Sequence, residues 1–449
     1  MKTTTILLLA ALGLCSGLLV TAKAKTPAPA TDAVGLKIEI DRSVLPAGSR
    51  ETAIVKVSLR GCLPPKATRR APVNLALVID KSGSMSGERI ERAREAALEA
   101  VRRLGPDDLV SVVAFDNGVR TLIPARRVGD GSAVSEAIET ITANGGTNLY
   151  GGVVAGAEAL RRHIEDGYTH RVILLSDGQA NVGPQTPEAL GSLGAQLVRE
   201  GISVSTIGLG LDFNEDLMTR LARRSDGNTY FVENSRDLGR IFGEELGDVL
   251  SVVARRVVIE VTFPEGVRPV RLVGREGRIE NRRAFVELNQ LYGSQEKFAL
   301  VEVEIDAAKP RTSREVARAE VRYENASDAR PASQSARAEV SFSEARAEVV
   351  SSANHQVQAD YAANRIAEAK DEVVALVDAG RRDEAASRLR EVGSSLEKMG
   401  REYSNSAVVA AAAPAAPAAA RVEAEGLSSA DRKDYRAKAQ QTYNQQRAE

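Results

Sequence analysis

The segment Val73-Asn74-Leu75-Ala76-Leu77-Val78-Ile79-Asp80-Lys81-Ser82-Gly83-Ser84-Met85-Ser86-Gly87 decides the fold. Its first part, 73–79, is a nearly unbroken apolar run, too short for a core helix and bounded by polar turn residues. Such a run reads as a strand buried on both faces. Oxygen-bearing side chains follow at alternate positions (Asp80, Ser82, Ser84), and a helical pattern opens at Glu88. Strand, tight polar loop and helix make half of a parallel α/β unit. In open parallel sheets, the loops at the carboxyl ends of the strands form the ligand crevice.

Further apolar runs at 109–115, 172–175 and 204–209 alternate with helical stretches at 88–104, 149–165, 187–200, 215–224 and 235–253. Residues 70–254 therefore read as a doubly wound, Rossmann-like α/β domain with helices on both faces of a parallel sheet. In the last helix, Leu238, Ile241, Phe242, Leu246, Val249 and Leu250 share one face.

The flanks change period. Leu36, Ile38 and Ile40, then Ile54, Val55, Val57 and Leu59, surround a Pro46-Ala47-Gly48 turn. Alternation returns at Val257, Ile259 and Val261 and continues through 284–289, 298–305, 316–323 and 338–342. Period two marks half-buried antiparallel strands. We expect an antiparallel β-sandwich whose first strands lie in 34–66 and whose remainder lies in 255–349, with the α/β domain inserted. Two separate β modules are the alternative. Residues 353–401 read as a helical hairpin broken at Gly380, with Ala385, Leu389, Val392 and Leu396 as its stripe. Residues 407–420 read as an Ala/Pro linker, and 421–449 as a polar tail.

Lys2, an apolar run over 6–20 and Ala22-Lys23-Ala24 have the pattern of a signal peptide, 1–24, followed by a Pro/Ala linker, 25–33. An uncleaved anchor is the alternative. The expected location is outside the cytoplasm: the periplasm, the cell surface or the medium. No other apolar run is long enough to span a bilayer, so no transmembrane segment is expected in the mature chain. Formal net charge is −1 and aromatics are 4%, which predicts no nucleic-acid partner. Cys62 is expected as a half-buried small hydrophobe.

Two more segments complement the first loop. Asn144-Gly145-Gly146-Thr147-Asn148 is a glycine turn that presents a hydroxyl, and Leu174-Leu175-Ser176-Asp177-Gly178 puts an acid at a strand end. If the strands are neighbours, all three loops meet at one rim, where hard oxygen ligands suit Mg²⁺, Mn²⁺ or Ca²⁺. Asp-x-Ser-x-Ser, Gly-Gly-Thr and Ser-Asp-Gly together resemble the metal-ion-dependent adhesion site of von Willebrand factor type A (vWA) domains. Within that family, the chain resembles bacterial exported proteins often labelled calcium-activated chloride channel-like. The missing membrane spans argue against a channel. The resemblance implies that Ser82, Ser84 and Thr147 contact the metal, with Asp80 and Asp177 acting largely through water. It also implies a protein partner that offers an Asp or Glu carboxylate, in an envelope-associated complex.

Three other readings compete with metal-dependent binding. A structural or scaffolding protein would bind through its β and helical regions, with the metal only stabilising the fold. A serine hydrolase would need Gly-x-Ser-x-Gly and a placed base, whereas His163, His170 and His355 read as surface or capping residues. A metal-dependent hydrolase lacks a general base beside the loop. Asp212 reads as a cap for the helix at 215, or else as a rim acid.

Overall fold

The computed structural model describes residues 33–63, 70–164 and 167–446. The expected signal peptide, residues 25–32 of the linker, 64–66 and 447–449 lie outside the described residues.

The first described elements are strands, β1 (Val34–Ile40), β2 (Val44–Pro46) and β3 (Glu51–Gly61). The α/β domain follows as β4 (Val73–Asp80), α1 (Glu88–Arg103), β5 (Leu109–Phe115), β6 (Val119–Arg127), α2 (Ser132–Glu139) and α3 (Leu149–Arg161). It continues as β7 (Thr169–Ser176), α4 (Pro187–Arg199), β8 (Ile202–Leu209), α5 (Glu215–Arg224), β9 (Thr229–Val232) and α6 (Leu238–Leu250). Its sheet has the order β6-β5-β4-β7-β8-β9. Every neighbouring pair is parallel except β5 with β6. Along β4, Leu75, Leu77 and Ile79 pack with α1 and α6, whereas Ala76 and Val78 pack with α3. The small side chains on that second face let α3 come close: a Cβ at Gly156 would stand 2.5 Å from Val78 Cγ2.

The second flank supplies β10 (Val252–Thr262), β11 (Val267–Val273), β12 (Arg278–Glu280) and β13 (Arg283–Tyr292). It ends with β14 (Glu296–Ile305), β15 (Ser313–Asn325) and β16 (Pro331–Ser343). Two sheets result, β1-β3-β14-β11 and β12-β13-β10-β15-β16-β2. Strand β14 pairs with β3 over its whole length, from Ile305↔Glu51 to Glu296↔Arg60. The strands before and after the α/β domain therefore form one sandwich with one core, and the two-module alternative is excluded. Strand β10 begins at Val252, slightly before the expected boundary.

The amino ends of the α/β strands rest on this sandwich through polar contacts. Arg171 on β7 is fully buried. It donates to Ser205 Oγ (2.8 Å), to Gln290 Oε1 (2.6 Å) and to the Tyr292 hydroxyl. Glu245 on α6 stands 3.4 Å from Arg171 and accepts from Ser205, Asn228 and Tyr230. The carboxyl ends of the strands, where the loops bearing Asp80, Ser82, Ser84 and Asp177 lie, face away from this interface.

The last described part of the chain is helical: α7 (Arg346–Ser351), α8 (His355–Asp378), α9 (Arg382–Glu402), α10 (Ser406–Ala412), α11 (Ala415–Glu425) and α12 (Ser429–Tyr443). Two expectations are corrected here. The Ala/Pro tract 407–420 is not a linker but α10 and most of α11. Pro414 and Pro417 sit at the start of α11, where a missing N–H costs no helical bond. Small side chains let the tract pack on α9, where a Cβ at Gly393 would meet Ala415 Cβ at 2.6 Å. The tail 421–449 is also folded as far as it is described. Helix α12 lies along α5 and β9: Lys433 Nζ donates to Glu215 (2.7 Å), Arg432 Nε to Glu215 (2.9 Å) and Arg436 Nε to Asp216 (2.7 Å). Two smaller corrections are that Cys62 is exposed and that His170 is buried at 5% exposure, its Nδ1 3.3 Å from Asn74.

Two outcomes follow from this packing. Replacing Gly156 by Ala adds about 1 kcal/mol of helix propensity, against an overpacking cost of about 1–3 kcal/mol. The close approach to Val78 makes the cost win, so thermal unfolding of Gly156→Ala should show a lower midpoint. A higher midpoint would mean that α3 stands farther from the sheet. The second concerns Glu215. Burial pushes its carboxyl up, but hydrogen bonds from Lys433, its own backbone and Arg432 bring it below the ordinary value of 4.5. A lowered acid stabilises above its unfolded value, and that contribution disappears as pH falls through the folded value. Glu215→Gln should therefore cost about 3 kcal/mol at neutral pH, and denaturant midpoints of variant and parent should converge below about pH 4.

Candidate metal centre

Strand β4 delivers Asp80 to the sheet edge with no exposed surface. Asp80 Oδ1 accepts from the Ser82 amide at 2.8 Å. This contact curls the chain so that positions 82 and 84 turn the same way. Ser82 Oγ and Ser84 Oγ are 3.0 Å apart, and Ser84 Oγ donates to Asp177 Oδ1 at 2.7 Å. Strand β7, the direct neighbour of β4, ends at Ser176, whose hydroxyl donates to Asp80 Oδ2 at 2.5 Å.

The glycine turn is tied to the first loop by backbone bonds, Gly83 N to Gly145 O (2.9 Å) and Asn144 N to Lys81 O (2.6 Å). Side chains then set its shape. Asn117 Oδ1 accepts from Gly146 N (2.7 Å), and Asn181 Oδ1 accepts from Thr147 N (2.8 Å). The structure thus brings Asp80, Ser82, Ser84, Thr147 and Asp177 together at one rim.

Gly178 reveals a cradle. A Cβ there would lie 2.9 Å from Thr147 Oγ1, 3.3 Å from Ser84 Oγ and 3.7 Å from Ser82 Oγ. Three hydroxyl oxygens surround one point, which the absence of a side chain at 178 leaves open. Ser84 is exposed while Ser82, Thr147, Asp80 and Asp177 are buried, so the cradle opens to solvent on one side only. Among the described residues no three His, Cys, Asp or Glu side chains converge. A cation would therefore rest on neutral hydroxyls with two acids behind them, a donor set of hard oxygens that fits Mg²⁺, Mn²⁺ or Ca²⁺.

The electrostatics agree. Burial pushes the Asp80 carboxyl up to about 6, against the lowering effect of hydrogen bonds from Ser176 and Ser82. Two buried carboxylates with neutral donors are costly unless a positive charge compensates them. One such charge is Arg89, whose Nη1 donates to Asp177 Oδ2 at 2.5 Å. Arg89, Ser176, Asn117 and Asn181 were not picked out from the sequence. Ser176 stands inside the quoted Ser-Asp-Gly motif and could have been; the other three carry no local signal. Asp212 does not cap α5, because Asn214 does, accepting from Leu217 N. Asp212 lies instead at the rim, 3.6 Å from Arg89.

Residues 74–244 match the family model described as von Willebrand factor type A domain, and the α/β unit is such a domain. Over 268 residues the chain is 30% identical to the uncharacterized protein sll0103 of Synechocystis sp., covering 57% of this chain and 63% of that protein. The chain thus spans less than two thirds of that relative. Among solved structures, a von Willebrand factor type A protein from Catenulispora acidiphila superposes with a TM-score of 0.62 at 18% identity, covering 80% of this chain and 87% of that one. The ArnB paralog VWA2 from Sulfolobus acidocaldarius gives 0.59 at 17% identity, covering 92% and 98%. At these identities the two structures show a shared fold, including the β-rich part and the C-terminal helices.

The burial of Asp80 makes a prediction that needs no metal. A carboxyl raised to about 6 stabilises the fold below its unfolded value, and this contribution is lost as pH rises through about 6. In chelator at pH 7, Asp80→Asn should be more stable than the parent by about 3 kcal/mol, with the gap closing near pH 4. Chemical denaturation at the two pH values measures it, and a variant less stable at pH 7 would contradict this electrostatic picture.

Proposed function

We propose that this protein binds a partner protein through a divalent cation held at the rim of its vWA domain. The vWA fold is one that commonly mediates protein–protein interaction. The observation that carries the metal-dependent reading is the cradle beside Gly178, where the hydroxyls of Ser82, Ser84 and Thr147 surround one point. Those hydroxyls would hold the cation, and Asp80 and Asp177 would balance its charge from behind. Mg²⁺ is the first choice, with Mn²⁺ or Ca²⁺ as alternatives. A bound cation supplies a Lewis-acidic position facing solvent, and an Asp or Glu carboxylate from the partner is the natural ligand for it.

The role is binding rather than catalysis. The buried His170 lies at the opposite, amino end of β7, and the two buried acids of the rim are already engaged, Asp80 by Ser82 and Ser176 and Asp177 by Ser84 and Arg89. We also place the protein outside the cytoplasm, in the periplasm or at the cell surface, because 1–24 has the pattern of a signal peptide. Among the described residues no helix is long and apolar enough to cross a membrane.

Calorimetric titration of the full chain with Mg²⁺ and Mn²⁺, beside Ser84→Ala and Gly178→Ala, tests the metal. We expect saturable one-site binding that weakens at least tenfold in Ser84→Ala, the loss of one direct ligand being worth more than 1.4 kcal/mol. Gly178→Ala should abolish binding with the fold retained. Equal binding in all three proteins would place the cation elsewhere. No binding in any would leave the flanking β and helical surfaces as the interaction site.

A further inference from the structure

Arg89 occupies the first turn of α1 and reaches back into the metal centre. Its Nη1 donates to Asp177 Oδ2 at 2.5 Å and lies 3.4 Å from Ser84 O. Its Nη2 stands 3.6 Å from Asp212 Oδ2. Gly210, at φ +76°, gives the guanidinium room, because a Cβ there would come within 3.1 Å of Arg89 Nη2. Arg89 is also part of the wall of a cleft of about 690 Å³ beside the cradle, with Glu88, Leu209, Glu233 and Asn234.

The two acids of the centre are therefore unlike. Asp80 accepts from the Ser82 amide and the Ser176 hydroxyl, both neutral. Asp177 is divided: Oδ1 accepts from the Ser84 hydroxyl, while Oδ2 is paired with a full positive charge. A cation entering the cradle meets two negative charges and one positive charge rather than two negative charges alone.

We propose that Arg89 is an internal counter-ion that holds the cation affinity of this centre down and couples it to the arrival of a partner's carboxylate. The inference rests on the metal-dependent reading of the site and adds its regulation. Arg89 repels the cation, because like charges at such short range in a half-buried site interact strongly. An arriving carboxylate is attracted by the cation and the guanidinium together. Each of the two ligands, cation and carboxylate, then strengthens the binding of the other, as linkage requires. Alone, the centre takes metal weakly; with an acidic partner it takes it firmly.

Arg89 could instead serve only to orient Asp177, and the two roles predict opposite results. Asp177 is fully buried and already held by Ser84, so loss of orientation should be the smaller effect. The test titrates the full chain with Mn²⁺ by calorimetry, as wild type, Arg89→Gln and Arg89→Lys, each with and without acetate as the simplest carboxylate. We expect Arg89→Gln to bind Mn²⁺ about tenfold more tightly and Arg89→Lys to stay near wild type. Acetate should tighten Mn²⁺ binding to wild type several-fold and do less for Arg89→Gln. The acetate arm on wild type stands even if a variant fails to fold, and no effect of acetate there overturns the coupling. If wild type binds Mn²⁺ and Arg89→Gln binds it equally or more weakly, the counter-ion role is wrong while the metal site stands. Absence of saturable binding in wild type and both variants overturns the metal site and this inference together.

Discussion

Arg171 carries a charge to a place no water reaches, and the arrangement of the molecule follows from satisfying it. The side chain rises from the start of β7 with no exposed surface. Its partners come from three directions: Ser205 on β8, Glu245 on α6, and Gln290 and Tyr292 on β13 of the sandwich. Removing one partner of a buried charge costs about 3–5 kcal/mol, far more than a surface pair is worth. The α/β domain therefore has one low-energy seat on the sandwich. Asn289 to Ser203 (2.6 Å), and Asp226 to Arg275 (2.9 Å) and to the Asn289 amide (2.7 Å), extend the same polar seam.

That seat determines which end of the sheet is available. The amino ends of β7 and β8 are consumed by the interface, so the carboxyl ends and their loops face outward. Strand β7 links the two ends: Arg171 anchors it below, and Ser176 and Asp177 finish it above, about 17 Å away along an extended chain. Helix α6 is fixed as well, since Glu245 accepts from Ser205, Asn228 and Tyr230 as well as facing Arg171. Any displacement of α6 would strip hydrogen bonds from a buried carboxylate. The rim is thus presented on a stiff base.

The C-terminal helices add a second tie between the parts. Helix α8 packs on the sandwich through Val357 against Ile54, Val273 and Leu300. Helix α12 returns to the α/β domain, where Asn444 Nδ2 donates to Gly227 O and Gln441 Nε2 to Thr229 O (3.2 Å). It covers the outer strand β9, whose open edge would otherwise invite pairing with another chain.

Much of this was legible in the sequence, and the boundary is physical. Buried strands announce themselves as apolar runs, half-buried strands as period two, and ligand loops as short motifs, because each of these depends on residues close together in the chain. Hence the doubly wound domain, its insertion in a sandwich and the meeting of Asp80, Ser82, Ser84, Thr147 and Asp177 could be read directly. Strand β6 escaped because it is a largely exposed edge without an apolar run, and β9 because it is only four residues long. What only the tertiary structure decided is held by contacts between distant polar residues: Arg89 on Asp177, Arg171 on Tyr292, Lys433 on Glu215. Helix α12 buries Lys433, Tyr435, Gln440 and Tyr443, so its docking face looks like a solvated tail until the partner acids are in place. Charge pairing has no period along a chain. It is set by where the fold brings two ends of it together.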